Sequence, residues 1–268
     1  MKRKTLVLLY FLVSLGFVSC GKLEGVFFVG DPVDQERTPN ASFHFISMHD
    51  NINVTLEQSS HPLLELTCPE NLIDKMVTEV IDDTLFIRNE NTLEWLHDLD
   101  YDCHLTVYYD SLQEVRFYSK GYLRCNNPIR GMGTFESATM TIDTVTNDTL
   151  YTPVKSFYLK ICEGSGDIDL VFDCDVMKTF YHHGTSDVRL SGRAGYSEHI
   201  AEAYGPIHAE ELNSNFVRAT TSSTNTLYVS FRTGLRVWIS SIGKIYFRGP
   251  KQNITVEEGD EQQVIELP

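Results

Sequence analysis

Two aspartates occupy matching positions of a repeated segment and could act as paired acid–base catalysts. The segment GSGDIDL at 164–170 returns in similar form as GTSDVRL at 184–190. On neighbouring strands, Asp167 and Asp187 would lie about 4.8 Å apart, close to the ~5–5.5 Å carboxyl separation of retaining glycosidases. Other residue types stand here in the later repeats: Pro206, Asn225 and Lys244. Because Asp and Asn also cap their own backbone, we predict Asx turns at Asp167, Asp187 and Asn225.

The run HHGTSD at 182–187 contains the three residue types of a serine hydrolase. A catalytic triad needs groups that the fold brings together, with oxyanion donors in reach. Adjacent residues of a strand point in alternating directions, so we predict Ser186 to be a turn residue. The remaining histidines show no metal-ligand spacing: His44, His49, His61, His97, His104, His199 and His208.

Asp98, Asp100 and Asp102 alternate as in the opening of a calcium loop. Cys103 stands where the sharp-turn glycine belongs, and Tyr109 stands where the bidentate glutamate belongs. We therefore predict a solvated acidic loop here, and no metal or other cofactor for the chain.

Cys20 lies at the end of a segment with the layout of an export signal. Three basic residues at 2–4 precede an apolar run at 6–18, which is too short for a membrane span of about 20 residues. The stretch FVSC at 17–20 resembles a bacterial lipobox, with Phe17 in place of the usual leucine. This resemblance implies acylation of Cys20, and Gly21 after it implies the outer membrane. An ordinary cleaved signal peptide is the alternative.

The other five cysteines are odd in number and widely spaced: Cys68, Cys103, Cys125, Cys162 and Cys174. This arrangement fits neither a disulfide scaffold nor a zinc ribbon. Cys162 and Cys174 flank a predicted turn and could pair in an oxidising compartment. Equally, they could be buried free thiols.

Charge and composition limit the possible partners and indicate the domain boundaries. Removal of a signal peptide at 1–19 leaves 249 residues and takes the net charge from −15 to −18, since three basic residues are lost. Such an acidic protein repels phosphate backbones, so we predict no nucleic-acid partner. Glycine and proline at 20–40 predict a tether after the membrane anchor. The acidic segment 251–268 is predicted to be a C-terminal tail that frays in solvent.

The pattern between these segments predicts an all-β domain. Ile52, Val54 and Leu56 alternate with polar residues, as in a half-buried strand. No apolar pattern of helical period persists. In the second half, turn-like segments recur near residues 164, 184, 204, 223 and 242. A regular interval of about 20 residues is typical of a solenoid with stacked coils. The interior of such a solenoid would receive alternate residues such as Ile168 and Leu170.

Several motifs together resemble the GIN-type domain family of Bacteroidetes, a family of adhesin head domains. They are VTLEQ at 54–58, DDTLFI at 82–87, GSGDI at 164–168 and GKIYFRGP at 243–250. The resemblance covers about 41–250. It implies a right-handed β-helix-like solenoid, preceded by irregular β strands, with coils of about 20 residues as the repeat interval indicates.

These observations predict a non-enzymatic, lipid-anchored cell-envelope protein whose adhesin-like domain has a binding or structural role. The expected partners are the membrane, through the anchor, and a glycan or an envelope protein. The alternatives are a polysaccharide-acting enzyme on the same fold, and an envelope assembly or sensing module. Aromatic rings on a long β surface could hold such a partner: Tyr101, Tyr108, Tyr109, Tyr118, Tyr122, Tyr181, Tyr196 and Tyr204.

Overall fold

A computed structural model describes residues 30–91, 102–142 and 149–268. The strands of this part of the chain are β1 (Pro32–Arg37), β2 (Phe45–Asp50), β3 (Asn53–Gln58), β4 (Leu63–Pro69), β5 (Met76–Ile81), β6 (Thr84–Asn89), β7 (His104–Tyr109), β8 (Glu114–Ser119), β9 (Leu123–Cys125), β10 (Met132–Ile142), β11 (Thr149–Ile161), β12 (Ile168–Tyr181), β13 (Val188–Ala201), β14 (Ile207–Thr221), β15 (Thr226–Ile239), β16 (Lys244–Arg248), β17 (Ile254–Glu258) and β18 (Val264–Glu266). One helical turn, α1 (Glu70–Ile73), follows β4. Within these ranges no helix is long and apolar enough to cross a membrane. The all-β prediction is confirmed.

Most strands belong to two parallel ladders. The first ladder contains, in spatial order, β6, β2, β8, then residues 156–161, 176–181, 196–201, 216–221 and 234–239 of β11 to β15, and finally β17. The second ladder contains β7, β3, β9, then residues 168–174, 188–194, 207–214 and 226–231 of β12 to β15, and finally β16 and β18. The long strands β12 to β15 therefore belong to both ladders and change from the second to the first at a bend. We call each segment that passes once through both ladders a coil, and the series of paired segments the stack.

The register of the second ladder confirms the interval predicted from the repeats. Ile168 pairs with Val188, which pairs with Ile207; Ile207 pairs with Leu227, and Leu227 with Ile245. All five side chains are fully buried. Alternate residues of each strand thus stack in a continuous interior, and the residues between them form the outer surface of the ladders.

One equivalence predicted from the repeats is wrong. Thr226 pairs with Lys244 and precedes Leu227, so Thr226 holds the position of Asp167 and Asp187. Asn225 lies one residue earlier and is buried, and its amide donates to the carbonyl of Gly205 at 3.3 Å. Its side chain therefore joins two coils and does not form the predicted Asx turn.

The N-terminal end of the stack is closed by antiparallel strands. β1 pairs with β4, β4 with β7, and β5 with β6. The predicted tether at 20–40 is therefore wrong for 32–37, which form β1. The Arg37 guanidinium fixes this strand by donating to the carbonyl oxygens of Met76 and Ile73. Residues 1–29, including the predicted signal peptide and Cys20, lie outside the described residues.

The C-terminal segment is also more ordered than predicted. Within 251–268, β17 pairs with β15 and β18 pairs with β16. Ile254, Val256 and Val264 pack against the end of the core, which attaches this part to the ladders. The acidic residues lie on its exposed positions, and 251–268 contributes the last strand of each ladder rather than a tail.

The cysteines pair differently from the possibility considered above. A disulfide joins Cys68, near the end of β4, to Cys103, directly before β7. Cys162 and Cys174 are free, as is Cys125. Wide spacing in the sequence concealed the pair, because antiparallel pairing of β4 with β7 brings together residues that are 35 positions apart.

Candidate functional site

The paired aspartates lie on neighbouring coils, as predicted from the repeat. Their neighbours Ile168 and Val188 are directly paired. In place of the predicted Asx turn, Oδ2 of Asp187 accepts a hydrogen bond from Arg189 at 2.9 Å. Asp187 directly precedes β13, and its carboxylate forms a local ion pair with the exposed Arg189.

The run at 182–187 does not assemble a triad. Ser186 is fully buried, and its backbone carbonyl accepts a hydrogen bond from the Tyr181 hydroxyl at 3.0 Å. His182 points away to Glu202 on the next coil, with 3.0 Å between Nδ1 and Oε2. Ser186 is therefore a buried residue of the connection between β12 and β13.

The acidic segment near Asp102 is only partly described, since Asp98 and Asp100 lie outside the described residues. Asp102 accepts a hydrogen bond from the Asn53 amide at 3.1 Å. His104 contacts the Tyr122 hydroxyl at 2.8 Å, and burial lowers the pKa of this histidine. Across the described ranges, no group of three or more His, Cys, Asp or Glu residues is arranged to hold a metal ion.

Two of the free cysteines have the environment of inert thiols. Burial raises the pKa of Cys174 to about 12 and also raises that of Cys125. A thiol with a raised pKa is a weak nucleophile at neutral pH. Both thiols are therefore poor nucleophiles at neutral pH.

The tyrosines predicted as binding residues divide between the interior and the surface. Tyr109 and Tyr181 are buried, and burial raises the pKa of both phenols. Tyr118 stacks on His49 with ring centroids 4.6 Å apart. Tyr204 is the most exposed of the described set, at 74%. Tyr101 lies outside the described residues.

Half-buried aromatic and aliphatic side chains cluster on the outer surface of the first ladder. We call this surface the aromatic face; it consists of Phe180, Tyr196, Ile200, Phe216 and Trp238 with Arg218 and Arg236 between them. These residues alternate along their strands with fully buried ones, so their side chains lie on the outside. The aromatic face spans four consecutive coils.

Ring and guanidinium contacts order this surface. Tyr196 stacks on Phe216 with ring centroids 6.2 Å apart and 14° between the planes. Arg218 lies over Trp238, with its guanidinium carbon 4.4 Å from the ring centroid. Arg236 lies over the Phe216 ring at 5.9 Å. Cation–π contacts of this kind hold the side chains in one arrangement without covering them.

A row of charges crosses the middle of the aromatic face. Glu198 is nearly buried, at 6% exposure, and lies between Lys178 at 3.2 Å and Arg218 at 3.3 Å. Glu198 therefore fixes two cations on neighbouring coils. Of the aromatic face, only Tyr196 was named from the sequence, because its members lie on different coils and fall into one cluster only when the coils are aligned.

A polar groove of about 550 Å³ lies where β12, β13 and β14 bend from one ladder into the other. Its wall contains four cationic side chains: Arg130, Lys155, Arg193 and Arg232. Asp173, Asp175, Asn213 and Asn215 complete the polar lining. No pattern in the sequence predicted this groove, since it forms at the bends and gathers residues from several strands and connections.

Several solved structures share this fold. A "putative adhesin" from Bacteroides fragilis has a TM-score of 0.68 at 16% identity, and the alignment covers 88% of this chain and 95% of that one. A "putative lipid binding protein" from Parabacteroides distasonis has a TM-score of 0.57 at 17% identity, with 88% and 94% covered. A "putative adhesin" from Parabacteroides merdae has a TM-score of 0.51 at 16% identity, again with 88% and 94% covered. At these identities the likeness concerns the fold alone.

Among curated proteins none matches the chain. One family model, described as "Putative auto-transporter adhesin, head GIN domain", matches residues 42–250, which include most of both ladders. This match confirms the resemblance inferred from the motifs at 54–58, 82–87, 164–168 and 243–250. The chain belongs to this GIN-domain family.

Proposed function

We propose that the protein is an exported lipoprotein, held at the outer membrane by acylated Cys20, and that its domain is a non-enzymatic, adhesin-like binding module. In this proposal the stacked coils form a right-handed β-helix-like body that carries a binding surface. The basic and apolar start of the chain supports export. The Cys68–Cys103 disulfide supports it independently, because disulfides persist mainly in oxidising compartments.

The aromatic face is the observation that carries the binding role. Tyr, Trp and Arg dominate the energetics of many binding surfaces, since they bury a large area while losing little side-chain freedom. Here Trp238, Arg218 and Phe216 are already held by contacts with their neighbours on the aromatic face. A partner would therefore meet a preorganised surface, which lowers the entropy lost on binding.

The geometry gives less support to a polysaccharide-acting enzyme. Such an enzyme should present convergent carboxylates in a cleft, with one of them poised as an acid. Asp187, directly before β13, is instead paired with Arg189, and Ser186 is buried. The aromatic face fits a glycan or an envelope protein, so an assembly or sensing role would use the same surface.

A binding comparison of surface variants tests this proposal. The full chain would be applied to a glycan array and, in cells, crosslinked to its neighbours. Trp238→Ala and Arg218→Gln should weaken the strongest signal at least tenfold. Tyr204→Ala, which removes a more exposed ring outside the aromatic face, is the matched control. If the signal survives both face variants while urea denaturation shows them folded, the aromatic face is not the binding surface.

A further inference from the structure

The polar groove at the strand bends has a surplus of positive charge in a strongly acidic protein. Arg130, Lys155, Arg193 and Arg232 face two carboxylates, those of Asp173 and Asp175 (the remaining polar groups, Asn213 and Asn215, are uncharged). The whole chain has only 22 Lys and Arg residues against 37 Asp and Glu residues. A local excess of cations within such a chain is an attractive site for an anion, because the surrounding field repels anions elsewhere.

The Asp173 carboxylate lies close to three of these cations. Its Oδ1 accepts a hydrogen bond from Nε of Arg193 at 2.5 Å. Arg193, Arg130 and Lys155 all lower the pKa of Asp173, with the Arg193 hydrogen bond as the largest cause. All three cations are thus close to one carboxylate. With Arg232, the groove has four positive charges against the two negative charges of Asp173 and Asp175, so the cluster can accept a further anion.

The donors needed for an anion remain available. Arg193 uses Nε for Asp173, which leaves its two terminal nitrogens for another acceptor. Arg130, Lys155 and Arg232 make no side-chain ion pair with any carboxylate in the described part of the chain. A guanidinium with free terminal nitrogens binds a carboxylate or sulfate through two parallel hydrogen bonds.

The size and course of the groove fit an extended ligand. Its volume of about 550 Å³ lies within the usual range for small-ligand sites. It crosses three coils at the bends that contain Asp175, Gly195 and Asn215. At the middle bend, a Cβ on Gly195 would lie 2.8 Å from the Asp175 carbonyl oxygen, so this position must stay without a side chain.

We propose that this groove binds an acidic oligosaccharide. Arg130, Arg193 and Arg232 would pair with the sugar carboxylates or sulfates. The polar side chains of Asp175, Asn213 and Asn215 would bind the hydroxyl groups. The amide and carboxylate oxygens of the groove are hydrogen-bond acceptors. Sugar hydroxyl groups can donate to them, whereas a bare anion cannot. The inference rests on the export part of the proposed function, since acidic polysaccharides lie outside the cytoplasm, but it does not depend on the aromatic face.

Calorimetric titration of the full-length protein tests this inference. The probes are a trisaccharide of galacturonic acid, the neutral trisaccharide of galactose, and inorganic phosphate. We expect binding of the acidic trisaccharide alone, with affinity that falls as salt is raised. Arg232→Gln and Arg130→Gln should each weaken it at least fivefold. Arg248→Gln, an exposed arginine of the second ladder, should leave it unchanged.

The inference would be overturned if the folded protein did not bind the acidic trisaccharide, if it bound the neutral sugar equally well, or if it bound phosphate as tightly as the trisaccharide. Loss of binding in Trp238→Ala but not in Arg232→Gln would also overturn it, and would place the sugar on the aromatic face. Conversely, groove binding that persists in Trp238→Ala would uphold this inference even if the aromatic face had no partner.

Discussion

Nδ1 of His199 lies 3.3 Å from the hydroxyl oxygen of Thr179, its partner on the neighbouring coil of the first ladder. The imidazole is fully enclosed, and Nε2 has no hydrogen-bond partner among the described residues. Burial lowers the pKa of His199 to about 4, because the charged form would lose its hydration. A neutral histidine is thus part of the core.

Stability should therefore fall as the solution becomes acidic. The folded-state pKa lies below the unfolded value of about 6.5. Between these values the unfolded chain takes up a proton that the folded chain does not, so the folded state loses about 3 kcal/mol as pH falls from 6.5 to 4. Urea unfolding of His199→Leu should show a shallower decline over this range. The exposed His61→Gln is the control, and equal slopes for all three proteins would contradict the assignment.

The disulfide between Cys68 and Cys103 should stabilise the N-terminal end of the stack. It closes a loop of 35 residues, for which chain-entropy arguments give about 3–4 kcal/mol. The double variant Cys68→Ser/Cys103→Ser should lose about that much free energy of unfolding, and Cys125→Ser should lose far less. Alkylation of the unfolded, unreduced protein provides a direct check, since Cys68 and Cys103 should stay unlabelled. Labelling of both would show that the bond does not form.

The sequence predicted the ladders where a local pattern repeats, and missed the features that depend on alignment between distant segments. Alternation around Val54 and the interval from Ile168 to Val188 indicate strands and coils, because buried residues must recur with the period of the backbone. The pairing of Cys68 with Cys103 depends on an antiparallel connection that no local pattern encodes. The aromatic face and the polar groove likewise combine single residues from many coils.

The C-terminal prediction failed for a related reason. Composition at 251–268 is dominated by exposed acidic residues, which is typical of a solvated tail. Only Ile254, Val256 and Val264 are apolar and directed at the core, and so few residues give a weak periodic signal. The last strand of each ladder packs on the core with one face and is exposed to water with the other. Its composition therefore resembles that of a solvated tail.

Lipidation of Cys20 would attach the protein to a membrane. Acylation and cleavage before Cys20 would give a mature chain of 249 residues that fractionates with membranes, since two or more acyl chains anchor a protein stably. Cys20→Ala should abolish the lipid mass and move the protein out of the membrane fraction. Cys162→Ala serves as the control for loss of an unrelated thiol. An unchanged mass and unchanged fractionation in Cys20→Ala would rule out the anchor.

Packing of β17 against the end of the core should stabilise the fold. In β17, Val256 pairs with Val237 and packs against the core, while its neighbour Thr255 points into solvent. Val256→Asp places a charge against apolar side chains, and we expect the free energy of unfolding to fall by about 2 kcal/mol. Thr255→Asp introduces the same charge on the outer side and should alter stability by no more than about 0.5 kcal/mol. Because the two sites are adjacent, urea unfolding of both variants separates the effect of lost packing from that of added charge. Similar losses of stability in both variants would show that 251–268 is an unpacked tail.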